Sequence, residues 1–135
     1  MNYHTNTHGP SEAGFRTGFL KSISEASSNK TNQVLFFAHS LKHLQVGVCN
    51  SVLGQATVKS LAETKTVTLG TVTIYLETER TKSVFLKGVI FAPFVSHKLL
   101  EVAATDYRGT DIVYVPWALE ELQTYVQNNP ASIQL

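Results

Sequence analysis

Apolar and polar positions change period along this chain, and the changes mark out its elements. From Gly88 to Pro93 the residues are continuously apolar (Gly-Val-Ile-Phe-Ala-Pro), and Asp111 to Val115 (Asp-Ile-Val-Tyr-Val) repeats the pattern. Unbroken apolar runs of this length are expected where helices cover both faces of a sheet. Helical spacing follows each run, over Ser96 to Tyr107 and over Pro116 to Asn129, with Arg108-Gly109-Thr110 as the turn between the two units. Strand, helix, strand, helix at this spacing predicts parallel βα units with right-handed crossovers.

The N-terminal half is read in the same way. Phe15, Phe19, Leu20 and Ile23 form one stripe of a helix over Ser11 to Ser27, in which Gly14 and Gly18 weaken helicity but permit close packing. Ser27 to Asn32 is a polar loop, and Gln33 to Ala38 is a buried strand. Leu41, Leu44, Val48 and Val52 keep helical spacing up to Gly54, a suitable C-terminal glycine, and Gln55 to Glu63 adds a helical turn or two. Gly47 and the β-branched valines leave a hairpin in part of that stretch as the alternative. Thr66 to Glu77 alternates strictly, which predicts a Thr-rich edge strand with one wet face; Gly70 interrupts its phase as a bulge or tight turn. Glu77 to Ser83 is a charged loop, and Val84 to Leu86 a short element before the Gly88 strand. Pro116 suits the first turn of the last helix, and Asn128-Asn129-Pro130 stops it. The expected fold is a three-layer α/β/α domain, Rossmann-like, with a largely parallel sheet of four or five strands. It occupies 1–135 as one domain: a polar segment over 1–10, the helix over 11–27 and an α/β core over 33–129.

Composition narrows the function classes more than it selects one. At 135 residues the chain suits one domain with a real core. A formal net charge of +1, with Lys and Arg scattered singly, argues against a nucleic-acid partner. No apolar run reaches the length of a membrane span, and Met1 to Pro10 does not resemble a secretory signal, so a cytoplasmic setting is expected. On that basis the glycosylation pattern Asn29-Lys30-Thr31 is a chance match. Cys49 is the only cysteine; among valines it reads as a small buried hydrophobe. The low charged content favours an oligomer, expected to be a homodimer, and an ordered polar N-terminus would pack on its own domain or on a neighbouring subunit.

Candidate chemistry follows from the fold class. Parallel sheets collect ligands at the carboxyl ends of their strands, near a switch in strand order. That rule selects His39, Ser40 and Lys42 after the first strand, Phe94, Ser96 and His97 after the Gly88 strand, and Trp117 after the last. His39 and His43 share a helical face, and His97 could complete a three-imidazole metal set. The intervening Ser-Leu-Lys lacks the glutamate of the His-Glu-x-x-His motif, however, and Lys42 repels a cation. Ser96 is explained as a helix N-cap, no Gly-x-Ser-x-Gly elbow surrounds Ser40 or Ser96, and no glycine-rich phosphate loop follows the first strand. No cofactor is therefore expected. Glu77, Glu79, Asp106 and Asp111 read as solvated loop charges. The function expected is a non-catalytic binding or interaction module with a small-molecule or anion cleft at the carboxyl edge. The alternative is a small hydrolase, metal-dependent or not, using the same histidines.

Overall fold

A computed structural model describes residues 1–44 and 47–135; of Lys42 and His43 it describes the backbone only. Among the described residues the elements run β1 (Asn2–His4), α1 (Glu12–Ser28), β2 (Gln33–Phe37), α2 (Leu41–Leu44), α3 (Val48–Leu53), α4 (Gln55–Thr64), β3 (Thr66–Leu69) and β4 (Val72–Glu77). They continue with β5 (Gly88–Pro93), α5 (His97–Ala104), β6 (Gly109–Val115), α6 (Leu119–Asn128) and β7 (Ile133–Gln134). The strands form one sheet in the order β3-β4-β2-β5-β6-β1-β7, parallel throughout except for the β3–β4 pair. The protein is thus mixed α/β with a mostly parallel sheet. No helix among the described residues is long and apolar enough to cross a membrane.

The continuous apolar runs are buried on both faces, as their composition predicts. Every residue of β5 is buried. Successive residues of β2 divide between two cores: Val34 and Phe36 pack with Phe15 and Phe19 of α1, while Leu35 and Phe37 pack with Leu99 and Leu100 of α5. Helix α1 lies close to the sheet because Gly18 has no side chain. A Cβ there would stand 2.8 Å from Val115 Cγ2 and 2.9 Å from Phe91 Cε1. Ser11 caps the helix by accepting from the Gly14 N–H at 3.0 Å. Asn29 ends it, and its Oδ1 accepts from the Thr31 amide and hydroxyl. The Asn-x-Thr pattern is therefore an Asx turn at a helix end.

Several boundaries differ from the expectation. The sheet has seven strands rather than four or five. The N-terminal segment supplies one of the additional strands: β1 pairs in parallel with β6, and the residues Tyr3, His4 and Thr5 are buried. Three residues are too few to show a period, and their polarity concealed the strand. Its partner β7 has only two residues. Thr66 to Glu77 is not a single edge strand but a hairpin, turned at Gly70 with φ +63°, and only β3 lies at the edge. The outward carbonyl of Thr66 on that edge already accepts from Ser60 Oγ at 2.9 Å and Thr64 Oγ1 at 3.0 Å, which blunts it as a pairing template. Helix α6 starts at Leu119, so Pro116 precedes it instead of occupying its first turn; Glu121 Oε1 accepts from the Ala118 N–H at 3.0 Å to close its start. Among the described residues the stretch after β2 holds three short helices, with Gly54 ending one and starting the next. Residues 45 and 46 of the expected helix lie outside the described residues.

The largest correction concerns the charges. Glu77 is fully buried and binds Arg108 through both carboxylate oxygens, at 2.9 and 3.0 Å. Arg108 also grips Asp106, at 3.0 Å from Nε and 2.7 Å from the second terminal nitrogen, and reaches the Phe85 carbonyl at 3.3 Å. All five guanidinium N–H groups are thereby used. Glu77 further accepts from the Ser83 amide and hydroxyl. These bonds hold residues 78–87, the crossover from β4 to β5, without a helix, and the Phe85 ring plugs the core beneath Arg108. Burial alone would raise the Glu77 pKa, but hydrogen bonds from Arg108 and Ser83 outweigh it and hold the carboxyl below its usual range. Hydrogen bonding to Arg108 likewise lowers Asp106.

Removing one partner leaves a buried charge, so Glu77→Gln or Arg108→Met should cost about 3–5 kcal/mol in urea unfolding. Because both native carboxyl pKa values are depressed, their stabilisation is complete above roughly pH 4 and is lost as the pH falls through the native values. Acid titration followed by circular dichroism should show that loss shifted toward neutral pH in Arg108→Met.

Candidate ligand-binding cleft

The chain leaves β2 toward β4 and β3 on one side of the sheet, and leaves β5 toward β6 on the other. Adjacent parallel strands whose connections diverge in this way leave a crevice at their carboxyl ends. A cleft of about 540 Å³ lies there, within the size range of small-molecule sites. Its floor and walls come from Phe36 and Ala38 at the end of β2, Leu44, Val48 and Cys49 of the short helices, Pro93 to Ser96 after β5, and Trp117 and Glu121 at the start of α6. Pro10 borders it, held there by the Gly9 amide bonded to the Trp117 carbonyl.

Most of the predicted residues meet at this point. His39, Ser40, Phe94, Ser96 and Trp117 all line the cleft. His39 is exposed and Ser40 half-buried. Ser96 is the N-cap of α5, accepting from the Leu99 amide at 3.3 Å. His97 lines a neighbouring groove instead, with Nε2 3.1 Å from Glu101. The side chains of Lys42 and His43 lie outside the described residues, and with them two members of the predicted sets. Among the described residues no three of His, Cys, Asp and Glu are placed to hold a metal ion.

Two aromatic residues shape the wall. Phe94 has φ +57°, a left-handed conformation that costs a bulky residue on the order of 1–3 kcal/mol. The loop enforces it: the Phe94 amide donates to the Val115 carbonyl at 2.8 Å, and the ring packs 6.1 Å from Phe15 and 5.4 Å from Trp117, nearly edge-on to the indole. Trp117 is 49% exposed, so the pair presents aromatic surface at the mouth. Strain of this kind concentrates at ligand sites. Sequence reasoning found Phe94 and Trp117 by their place after strands, but missed Leu44, Val48, Cys49 and Glu121. Those residues reach the cleft only because the helices after β2 fold back over it, an arrangement without a local signal.

Cys49 is a free thiol buried in the wall. Burial pushes its thiol up to about 11, which keeps it protonated and unreactive at neutral pH. Comparison with protein-family models, with curated proteins and with solved structures returned no match. The site's own geometry therefore carries the functional reading.

A thiol with this pKa should react with an aromatic disulfide reagent far more slowly in the native protein at pH 8 than in urea. Rates followed by absorbance check this, and equal rates in the two conditions would contradict the burial of Cys49.

Proposed function

We propose that the protein is a non-catalytic binding module that takes one small, largely apolar ligand in the cleft between β2 and β5. The observation that carries this reading is the coincidence of the cleft with the divergence of strand order. The lining is mostly aliphatic and aromatic, with polar groups at His39, Ser40, Ser96 and Glu121 to orient a ligand. In this reading the domain is Rossmann-like and three-layered, with helices on both faces of the sheet, and works in the cytoplasm without a cofactor.

Trp117 is the sole tryptophan, so selectively excited tryptophan emission arises at the mouth of this cleft. Titration with apolar aromatic probes such as 8-anilinonaphthalene-1-sulfonate should quench or shift Trp117 emission saturably. Phe94→Ala should weaken binding about tenfold, as expected for losing an aromatic contact and the wall it supports. Emission that stays constant across the titration, with the fold intact, refutes the reading.

Homodimerisation is proposed on a separate surface. Val84, Leu86 and Tyr107 are 75%, 74% and 93% exposed, and they flank the contact between Phe85 and Arg108 at the amino ends of β5 and β6, opposite the cleft. An apolar patch of this kind is a surface a second copy would cover. Native mass spectrometry should show a dimer that Leu86→Ser and Tyr107→Ser convert to monomer.

A further inference from the structure

A second recess lies between α5 and α6. It encloses about 230 Å³, and Asn2, His97, Glu101, Tyr114, Glu121 and Asn128 are among its lining residues. Only Glu121 is shared with the larger cleft.

The decisive group is Tyr114. It is 1% exposed, with its ring centroid 4.8 Å from that of Tyr125. The Tyr125 hydroxyl pairs with Ser132 at 3.0 Å, whereas the Tyr114 hydroxyl has no hydrogen-bond partner among the described residues. Among those residues no sealed side-chain nitrogen or oxygen is left unpaired, so the Tyr114 oxygen is not sealed; it opens onto the recess that its residue lines. Phenylalanine would fill the same core volume. The fold gains nothing from this hydroxyl, and a ligand in the recess would.

The charge of the lining selects the ligand class. Glu101 and Glu121 bring carboxylates, three asparagines bring carboxamides, and no lysine or arginine is present. Helices α5 and α6 line the recess along most of their length, from His97 and Glu121 near their starts to Ala104 and Asn128 at their last residues. His97 stands in the lining with Nε2 3.1 Å from Glu101, and Glu121 is the second carboxylate, so an anion would meet two carboxylates there. We propose that this recess binds a small alkylammonium compound, whose N–H groups are accepted by the Tyr114 oxygen and the carboxylates of Glu101 and Glu121.

The test is a titration of the isotope-labelled full chain, followed by amide chemical shifts, with three four-carbon probes: 1,4-diaminobutane, 1,4-butanediol and succinate. Saturable shifts around Tyr114, Glu101 and Asn128 are expected with the diamine alone. Tyr114→Phe should leave the melting temperature unchanged and weaken the diamine about tenfold to a hundredfold, the usual worth of a hydrogen bond to a charged group. The exposed Glu101→Gln should weaken it in the same sense, and it carries the test if Tyr114→Phe does not fold. Equal binding of the diol or succinate overturns the proposal. So do shifts scattered over surface carboxylates without saturation, and so does unchanged diamine affinity in either folded variant. Because Trp117 emission reads the other cleft, failure here is distinguishable from failure there.

Discussion

The pairing of Glu77 with Arg108 is the constraint on which the arrangement of strands rests. Parallel neighbours need a crossover, usually a helix that buries its own backbone. Between β4 and β5 the chain has only residues 78–87, with no helix among them, and must pass over β2 to place β5 on its far side. Most of that loop is exposed, with Thr78 and Phe85 as its buried residues, so it has little packing of its own to hold it. Glu77 ties it down by accepting from the Ser83 amide and hydroxyl while it grips Arg108, and all five donors of Arg108 have acceptors. A buried ion pair seldom adds net stability over an apolar replacement. Its value here is in position, since it fixes where the loop lies.

The cleft is a consequence of that crossover. Were β5 on the same side of β2 as β4, the connections from β2 and β5 would not diverge and no crevice would open between their carboxyl ends. The strained backbone of Phe94 belongs to the same geometry. The chain must leave β5 and start α5 within a few residues, and the bond from the Phe94 amide to Val115 ties that turn to the neighbouring strand. The aromatic wall of the cleft is thus held by a sheet edge, a rigid scaffold for a surface that must keep its shape.

The two recesses differ in chemistry because the larger lies at the carboxyl edge of the sheet and the smaller over its face, between α5 and α6. The larger one is floored by the ends of buried strands and takes their apolar character. The smaller one lies between two amphipathic helices, where polar side chains from Glu101, Asn128 and His97 surround one phenol that rises from β6. Glu121 stands in both linings while its carboxylate closes the first turn of α6. Any change there alters helix, cleft and recess together.

By itself the sequence determined the features that depend on local period. Unbroken apolar runs made β2, β5 and β6 buried strands, and from them followed a mostly parallel sheet and the loops that carry His39, Ser40, Phe94, Ser96 and Trp117 to one edge. Ser11 and Ser96 were legible as caps because capping chemistry is local. Tertiary structure alone decided what depends on distant partners. β1 and β7 are strands because β6 and then β1 offer them open edges, not because three or two residues prefer to be extended. Glu77 and Asp106 looked like solvated charges and Arg108 like part of a turn, since nothing within a few residues of Glu77 reveals a guanidinium 31 positions away. Leu44 and Cys49 entered the cleft wall through helix packing of the same long-range kind. Side-chain period is a property of neighbours along the chain, whereas pairing of buried charge is a property of neighbours in space.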